Sequence, residues 1–404
     1  MLYQGILYNR ETFLKRREAK FHNWVSNSSV YKLESLDPID CIKRNINILK
    51  AIAPELFYSY LITDNLELQK STQHIAYSRL FNYEADTTRR SHEEVDAISV
   101  MFKRISKTTI HFWFKINHYF SDAISNRIIA EILSSSHDIN VNSYNKNNIY
   151  RYISARKNDN LKTTNYLDQF INAYKKCNIE EIEQKRFSTQ KKHLELTSEI
   201  IDLRINSISS GKITPEVIVK CLALTVEKFF GYTGLYIGIN SHGREPLQGI
   251  NPLKTIGWLN ELRPFIVTPN ISGQYCTSDI SNKLLKNTLY GRNLSSIINA
   301  SFEKTTPEKL RYPSICLNIT YTKWFKNLNF ISPPINSTAL CDNGAYRITD
   351  IGVGVLIEDH STAISFDYSN EKYNRDEIKK IIRIFIGFLT NEINISNQVV
   401  CKTL

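Results

Sequence analysis

The stretch "FKINHYFSDAISNRII", residues 114–129, joins a strand-like run to a helix-like run. Residues 107–117 are β-branched and aromatic, which is typical of a largely buried strand. Residues 123–133 then place a stripe of apolar side chains along one helical face, namely Ile124, Ile128, Ile129, Ile132 and Leu133. The sequence therefore predicts a strand-to-helix corner, and that corner carries His118 and Asp122.

A histidine and an aspartate at such a corner have chemical uses. The imidazole of His118 would lie at the open end of the strand, and its ordinary pKa of about 6.5 suits proton transfer at neutral pH. Asp122 occupies the expected N-cap of the helix, where backbone amides or an arginine can hold its carboxylate. The four-residue spacing does not by itself direct Asp122 at His118, so Asp122 could fix the loop instead.

The rest of the chain alternates helical and strand patterns in both halves. Its 404 residues are consistent with two domains of roughly 150–200 residues each. We predict an α/β (α+β) protein of two lobes, residues 1–180 and 181–404, joined near the charged stretch "KKCNIEEIEQKR". The Asn-rich residues 137–150 are typical of a loop, and residues 151–205 of helix with a charged interruption.

Composition limits the possible classes of function. The net charge of +11 suits a polyanionic partner, but the basic residues are dispersed without a run of five, which disfavours nucleic acid. Seven scattered cysteines, an odd number, indicate reduced thiols. No stretch reaches the roughly 18 apolar residues of a membrane span, and the N-terminus lacks the pattern of a signal peptide. We therefore expect a soluble, cytoplasmic protein without a membrane partner.

Motifs for other chemistries are missing from the sequence. It contains no G-x-x-x-x-G-K-[ST], no G-x-G-x-x-G and no G-x-S-x-G. Its histidines and cysteines lack zinc spacing. No metal and no bound cofactor is predicted.

The corner also resembles a known motif. "NHYFSDAIS" is similar to the HHxxxDG signature of condensation domains of nonribosomal peptide synthetases, within the chloramphenicol-acetyltransferase-like superfamily. Asn117 replaces the first histidine and Ala123 replaces the glycine. Other segments resemble the family in the same order along the chain, namely "LYQGILYN", "NINILKAIAPELFYSYLI", "ITPEVIVKCLALTVEKFFG", "LYIGINSHGREP", "TIGWLNELRPFIV", "SICLNITYT" and "ISFDYSNEKYNRDEIKKI".

The resemblance implies a fold and an arrangement of the site. Two chloramphenicol-acetyltransferase-like lobes would form a V around a central substrate tunnel, with His118 midway along it as the catalytic residue and Asp122 supporting the motif. An arginine commonly pairs with this aspartate in the family, and Arg244 is our candidate, with Arg263 and Arg127 as alternatives. Further site residues follow from the same matches: Asn117, Ser125, Asn240 and Asn318 as substrate-binding, and His242 and Trp258 as holding the loop.

The subtype within the family is less sharply defined. "HGRE" and "TIGW" look most like epimerization domains, which rely on a glutamate together with the histidine. Asn240 stands at that glutamate's position and cannot titrate, and Asn126 stands where a tryptophan is found. Amide formation needs fewer catalytic groups than epimerization, because one positioned imidazole can assist an amine that attacks a thioester.

The leading hypothesis is a free-standing condensation enzyme of nonribosomal peptide biosynthesis. It would transfer an acyl, aminoacyl or peptidyl group from a carrier-protein thioester to an amine, forming an amide, or to a hydroxyl, forming an ester. Its partners would be acyl or peptidyl carrier proteins bearing 4'-phosphopantetheine, and a small amine or aminoacyl acceptor. The alternatives are a non-catalytic module that recruits partners to a carrier protein and an aminoacyl epimerase.

Overall fold

A computed structural model describes most of the chain, namely residues 25–28, 30–62, 68–74, 94–117, 120–145, 149–159, 170, 172–174, 201–206, 213–244, 249–290, 313–321, 330–332, 349–357, 361–368, 372–393 and 399–403. Contacts divide the chain into two compact units. The first unit comprises Met1–Asn160, His242–Asn260 and Phe325–Ala345, and the second comprises Leu161–Ser241, Glu261–Trp324 and Tyr346–Leu404. The predicted boundary at residue 180 lies outside the described residues and stays a prediction.

The described elements alternate along the chain in both units. The strands are β1 (Val25–Asn27), β2 (Val30–Glu34), β3 (Tyr58–Ile62), β4 (Leu68–His74), β5 (Glu94–Asp96), β6 (Ile98–Arg104), β7 (Thr109–Asn117), β8 (Ile201–Asn206), β9 (Leu235–Ser241), β10 (Glu261–Val267), β11 (Ile315–Tyr321), β12 (Phe330–Ser332), β13 (Ile351–Ile357), β14 (Ser361–Tyr368) and β15 (Val399–Thr403). The α-helices are α1 (Pro38–Ile52), α2 (Ala123–Leu133), α3 (Val141–Asn145), α4 (Ile149–Asp159), α5 (Pro215–Phe230), α6 (Thr277–Tyr290) and α7 (Arg375–Ile393).

The main sheet of the first unit is built around β7. Strand β6 pairs antiparallel with one edge of β7, and β1 and β2 pair antiparallel with the other, while β12 extends the sheet beyond β2. A separate three-stranded sheet has the order β4-β3-β5. Alternate side chains of β7 are buried, which is the pattern of a strand with one face in the core.

Helix α2, which follows β7, is held by its buried apolar stripe and by contacts at its C-terminal end. Its apolar stripe is buried as predicted, and Ile128 and Ile129 are at most 1% exposed. Helix α1 contacts it, and the side-chain amide of Asn45 donates to the carbonyls of Leu133 (3.0 Å) and Ser135 (2.7 Å). These bonds satisfy carbonyls at the C-terminal end of α2, which otherwise lack partners. The C-terminal end of α2 is therefore held by a side chain of α1.

The second unit is a seven-stranded sheet with helices on one face. The strand order is β10-β9-β11-β13-β14-β8-β15, with β11 parallel to β9 and to β13 and all other pairs antiparallel. Helices α5, α6 and α7 share one hydrophobic core with alternate residues of β9, β11, β13 and β14. The opposite face includes Asn240, Asn318 and Gly354, because paired residues of neighbouring strands point to the same side.

Two sequence predictions are wrong in detail. Residues 201–206 form strand β8 and not helix, because "IDLRIN" alternates with period two and pairs with β14 and β15. The expected loop at 137–150 contains the short helix α3 and the first residues of α4. Among the described helices, none combines the length and the apolar composition needed to cross a bilayer.

Candidate functional site

Asp122 caps helix α2 as predicted. Its backbone is extended, with φ −135° and ψ −177°, and its Oδ1 accepts a hydrogen bond from the Ser125 amide at 2.9 Å. This is the usual N-cap geometry, in which a short carboxylate satisfies an amide that the helix leaves free. Asp122 is only 4% exposed, so the cap is buried in the first unit.

Arg244 forms the ion pair with Asp122 that the resemblance predicts. Its two terminal nitrogens lie 2.5 Å from Oδ2 and 2.8 Å from Oδ1, a bidentate contact. The guanidinium also donates to the carbonyls of His242, Thr255 and Gly257 at 3.1–3.3 Å. Arg244 is 2% exposed, and a charge so deeply buried requires this degree of compensation. Its Nε has no hydrogen-bond partner among the described residues.

The loop before β10 closes over the same carboxylate. The amides of Leu259 and Asn260 donate to Asp122 Oδ2 at 2.9 and 3.1 Å. Charged hydrogen bonds of this kind are shorter and stronger than neutral ones. Asp122 thus ties the start of α2 to two chain segments that are more than a hundred residues away in sequence.

Ser125 links the helix to that loop. Its hydroxyl lies 2.8 Å from the Gly257 carbonyl and 2.9 Å from Asp122 Oδ1, and it accepts hydrogen bonds from the Gly257 amide (3.0 Å) and from Arg244 (2.9 Å). The side chain is fully buried. A hydroxyl with one proton and two lone pairs is saturated by these partners. In this conformation Ser125 therefore has no hydrogen-bonding capacity left for a substrate.

Only glycine fits at position 257. Its φ is +153°, and a Cβ there would lie 1.9 Å from Ile149 Cδ1. The close approach lets both backbone groups of Gly257 reach Ser125. We call Asp122, Ser125, Arg244 and Gly257 the corner network.

The electrostatic balance of the corner network favours an ionised aspartate. Burial by itself would raise the pKa of Asp122, but the Arg244 guanidinium and the amides of Ser125 and Leu259 hold that pKa below the usual 3.8. The carboxylate is therefore charged at neutral pH. It acts as an acceptor only and cannot serve as a general acid there.

His242 supports the loop from the side of Arg244. Its Nδ1 accepts the Arg244 backbone amide at 2.8 Å, so a neutral ring carries its proton on Nε2. Trp258 is 4% exposed, within the same loop. Both residues were expected to hold this loop, and the contact of His242 agrees with that role.

The other residues predicted for the site do not belong to the corner network. His118 lies outside the described residues, although Asn117 and Phe120 on either side are described. Asn117 ends β7, is 1% exposed, and donates its amide to the Ala97 carbonyl at 2.9 Å. Asn240 on β9 is half-buried and Asn318 on β11 is exposed, and both belong to the second unit.

Neither alternative arginine pairs with Asp122. Arg127 pairs with Glu131 one helical turn away, and Arg263 pairs with Glu261 on β10, both at 3.1–3.2 Å. The backbone amides of Leu259 and Asn260 also hold Asp122, which was not predicted from the sequence. Backbone donors leave no mark in residue types, so no sequence signal could have identified them.

No metal centre is present in the part of the chain that the structure describes, since no group of three or more His, Cys, Asp or Glu side chains lies together. The site as described is a buried corner held by one ion pair and by hydrogen bonds.

Comparison with known proteins gives weak sequence similarity and strong structural similarity. No protein-family model matches the chain. One polypeptide of the linear gramicidin synthase of Brevibacillus parabrevis is 23% identical over 194 residues, which are 45% of this chain and 4% of that protein. The chain therefore spans a small part of the length of the curated relative that it matches.

Solved structures match over nearly the whole chain. The epimerization domain from the third module of tyrocidine synthetase B matches with a TM-score of 0.59 and 15% identity, covering 93% of each chain. The condensation domain from the Monacolin K polyketide synthase matches with a TM-score of 0.62 and 10% identity, covering 96% of each chain. The chain therefore has the chloramphenicol-acetyltransferase-like fold shared by condensation and epimerization domains, as its sequence resemblance predicts.

Proposed function

We propose that this chain is a condensation-type acyltransferase that moves an acyl, aminoacyl or peptidyl group from a carrier-protein thioester to an amine. The observation that supports this most is the corner network, complete and buried directly after His118, on a fold shared with condensation domains. A rigid turn is what a catalytic side chain requires from its neighbours, because misplacement by about 1 Å can cost a hundredfold in rate.

The reaction needs one proton acceptor. The amine nitrogen attacks the thioester carbonyl carbon, the C–N bond forms, and the C–S bond breaks. The proton lost by the amine passes to the departing thiolate, so acid and base balance. We assign the transfer of that proton to the His118 imidazole, whose ordinary pKa lies near neutral pH.

The corner network would hold the turn between β7 and α2 in place and would not itself transfer a proton. Asp122 is ionised, saturated by donors and paired with Arg244, so it has no proton to give. We propose Asp122, Ser125 and Arg244 as positioning residues, which hold the turn between β7 and α2. The substrate-binding roles of Asn117, Asn240 and Asn318 are likewise proposals, and the carrier-unloading experiment described below can test them with a variant at each position.

A second candidate function is proton exchange at Cα of a carrier-bound aminoacyl group. The structural match to an epimerization domain favours it. The amide at Asn240 argues against it, since that side chain cannot exchange a proton with a stereocentre. The recruiting module is a third candidate, and Asn117 and Ala123, which replace the histidine and glycine of the signature, favour it.

Carrier proteins bearing 4'-phosphopantetheine are the proposed partners, and the arm would arrive with the substrate. The net charge of +11 suits an acidic carrier. We expect the affinity for such a carrier to fall as salt is added, because screening weakens attraction between exposed charges. An affinity independent of salt would remove the electrostatic argument.

The deciding experiment is intact mass spectrometry of a loaded carrier protein. An aminoacyl carrier would be incubated in heavy water with this protein and an amine, beside the variant His118→Ala. We expect unloading of the carrier with amide product, lost in the variant. Deuterium entering the bound aminoacyl group would indicate epimerization. Tight carrier binding with neither signal across a broad set of donors would support the recruiting module.

A further inference from the structure

The hairpin that joins β6 to β7 carries a group of exposed cations. Its tip is "KRISKT", residues 103–108, and all of these residues are exposed. Among the described residues, Lys103, Arg104 and Lys107 take part in no ion pair. Arg104 Nε donates to the Ser106 carbonyl at 3.2 Å, which leaves its charge uncompensated. Three positive charges without a carboxylate partner therefore lie close together in this hairpin.

Two exposed aliphatic side chains lie at the same end of the sheet. Ile105 is 49% exposed at the hairpin tip, and Leu36, between β2 and α1, is 96% exposed. The Ser35 amide donates to the Thr108 carbonyl at 3.0 Å. The Ile105 amide donates to the Thr109 carbonyl, also at 3.0 Å. Followed from residue to residue, these bonds place the Cα atoms of Leu36 and Ile105 within about 20 Å of each other.

These five side chains can be covered by one partner. We call Leu36, Lys103, Arg104, Ile105 and Lys107 the hairpin patch. A protein contact of ordinary size is roughly 30 Å across, so the whole patch fits within it. Such contacts commonly have an apolar centre surrounded by polar and charged groups. Covering the two aliphatic side chains would remove apolar surface from water, which favours binding.

The acidic residues at this end of the sheet do not neutralise the hairpin patch. Glu34 forms an ion pair with Lys32 at 2.5 Å, and Asp40 forms one with Lys43 at 3.6 Å. Asp37 is exposed and accepts a hydrogen bond from the Asp40 amide at 3.2 Å, as the N-cap of α1. Three cations against this one remaining carboxylate leave an excess of positive charge.

We propose that the hairpin patch docks a partner protein through an acidic amphipathic helix. Carboxylates of that helix would pair with the three cations, and its apolar stripe would cover Leu36 and Ile105. Side chains along one face of a helix recur about every 5 Å, so a stripe of a few turns spans the separation of the two aliphatic residues. The proposal does not depend on the proposed function.

Other occupants match the hairpin patch less well. A second copy of this chain, related by a two-fold axis, would bring the same positive charges face to face. Two aliphatic side chains bury too little area to hold a membrane surface. Nucleic acid would pair with the cations through its phosphates but would leave Leu36 and Ile105 without an apolar partner.

The hairpin patch is remote from the corner network. Strand β7 runs from Thr109, at the hairpin, to Asn117, beside the corner. Its nine residues span roughly 27 Å. A helix docked on the patch would therefore leave the turn between β7 and α2 uncovered. We expect carrier unloading to continue at an unchanged rate when the patch is occupied.

The test is fluorescence anisotropy of labelled peptides titrated with the full chain at low ionic strength. The peptides are about 16 residues long, enough to form a helix. The first has glutamates beside a leucine stripe, the second has glutamines in place of the glutamates, and the third has serines in place of the leucines. We expect the first to bind and the others to bind about tenfold more weakly or worse, because each lacks one complementary feature. No detectable binding of the first peptide, or equal binding of all three, would overturn the proposal.

Two further probes distinguish the class of partner. A labelled duplex DNA and vesicles of phosphatidylserine and phosphatidylcholine are titrated under the same conditions. We expect both to bind more weakly than the acidic peptide. If either binds as tightly as that peptide, the proposed occupant is wrong.

Charge variants separate the hairpin patch from the general positive charge of the chain. Lys103→Gln, Arg104→Gln and Lys107→Gln together should weaken the acidic peptide about tenfold at low ionic strength and much less at high salt. The matched control removes the same charge from exposed positions of α5 and α6, with Lys228→Gln, Lys283→Gln and Lys286→Gln. The control should bind like the wild type. Equal weakening in the two triple variants would mean that net charge alone drives binding, which would contradict the proposal.

Apolar variants test the centre of the hairpin patch. Leu36→Ser combined with Ile105→Ser should weaken the acidic peptide about tenfold. Ile271→Ser combined with Leu285→Ser is the matched control, because these side chains of the second unit are 109% and 59% exposed, and it should change nothing. All four positions are exposed, so the variants should fold, and thermal unfolding verifies this. Unchanged binding without Leu36 and Ile105 would refute the apolar contact.

Discussion

The two units each contain a buried arginine–carboxylate pair, and the two pairs differ in reach. Asp122 and Arg244 are 122 residues apart and gather amides from a third segment. Glu261 and Arg263 are two residues apart on one strand, with their side chains fully buried. The first pair fixes the position of distant segments relative to each other, whereas the second joins neighbours that β10 already places together. Two ion pairs of similar burial can therefore join residues at very different separations along the chain.

The largest effect is expected from removing the arginine of the long-range pair. Arg244→Met leaves the Asp122 carboxylate buried without its counter-ion and should lower the free energy of unfolding by about 3–5 kcal/mol. Arg127→Met is the matched control, because its partly exposed pair with Glu131 should cost at most about 1 kcal/mol. Denaturant unfolding measures both. Similar losses would mean that the corner network contributes no special stability.

Neutralising each carboxylate compares the two pairs directly. In Asp122→Asn, the new NH2 group must face donors such as the Leu259 amide or Arg244, so we expect a loss of about 3 kcal/mol. Glu261→Gln keeps an oxygen toward Arg263 but removes the counter-ion of a buried guanidinium, so it should cost less, about 2 kcal/mol. The measurement is again denaturant unfolding, and a reversed order would refute the proposed difference in reach.

A smaller effect is expected from Ser125. Ser125→Ala removes the hydroxyl that joins Gly257 to Arg244 and should cost about 1–3 kcal/mol. If Ser125 positions the corner, carrier unloading should slow while the affinity for the carrier is retained. Ser365→Ala, half-buried on β14 with a weak 3.5 Å contact, is the control and should change neither quantity.

The smallest expected effect is a change in the free energy of unfolding at acidic pH. The pKa of Asp122 in the folded state lies below its unfolded value of about 3.9, so its ionisation stabilises the fold fully above that value. This stability is lost as the pH falls through the lowered pKa. The difference in unfolding free energy between wild type and Asp122→Asn should therefore be constant above about pH 5 and shrink below about pH 4. A difference that grows on acidification would contradict the pKa direction.

Local patterns in the sequence were sufficient for most elements of the site. The buried strand β7, the stripe of α2 and the cap at Asp122 follow from alternation, helical period and residue type. Arg244 as the partner of Asp122 came from the resemblance to condensation domains, and the structure confirms the contact.

Contacts between segments far apart in the chain could not be predicted from local sequence patterns. Strand β8 was predicted as helix, because the partners that stabilise it, β14 and β15, lie more than 150 residues later. The hydrogen bonds between Ser125 and Gly257 require a glycine at position 257, because Ile149 packs against it and leaves no room for a side chain. Such contacts depend on tertiary packing, which residue type and spacing do not encode locally.

The most direct test of the account measures carrier unloading by Asp122→Asn and Glu261→Gln at a temperature where both variants are folded. Intact mass spectrometry of the aminoacyl carrier, with an amine present, reports the rate. We predict that Asp122→Asn unloads the carrier at least about a hundredfold more slowly than wild type, since the turn that follows His118 is loosened. Glu261→Gln should keep a rate close to that of wild type. Equal rates in the two variants would contradict the claim that the corner network positions the chemistry.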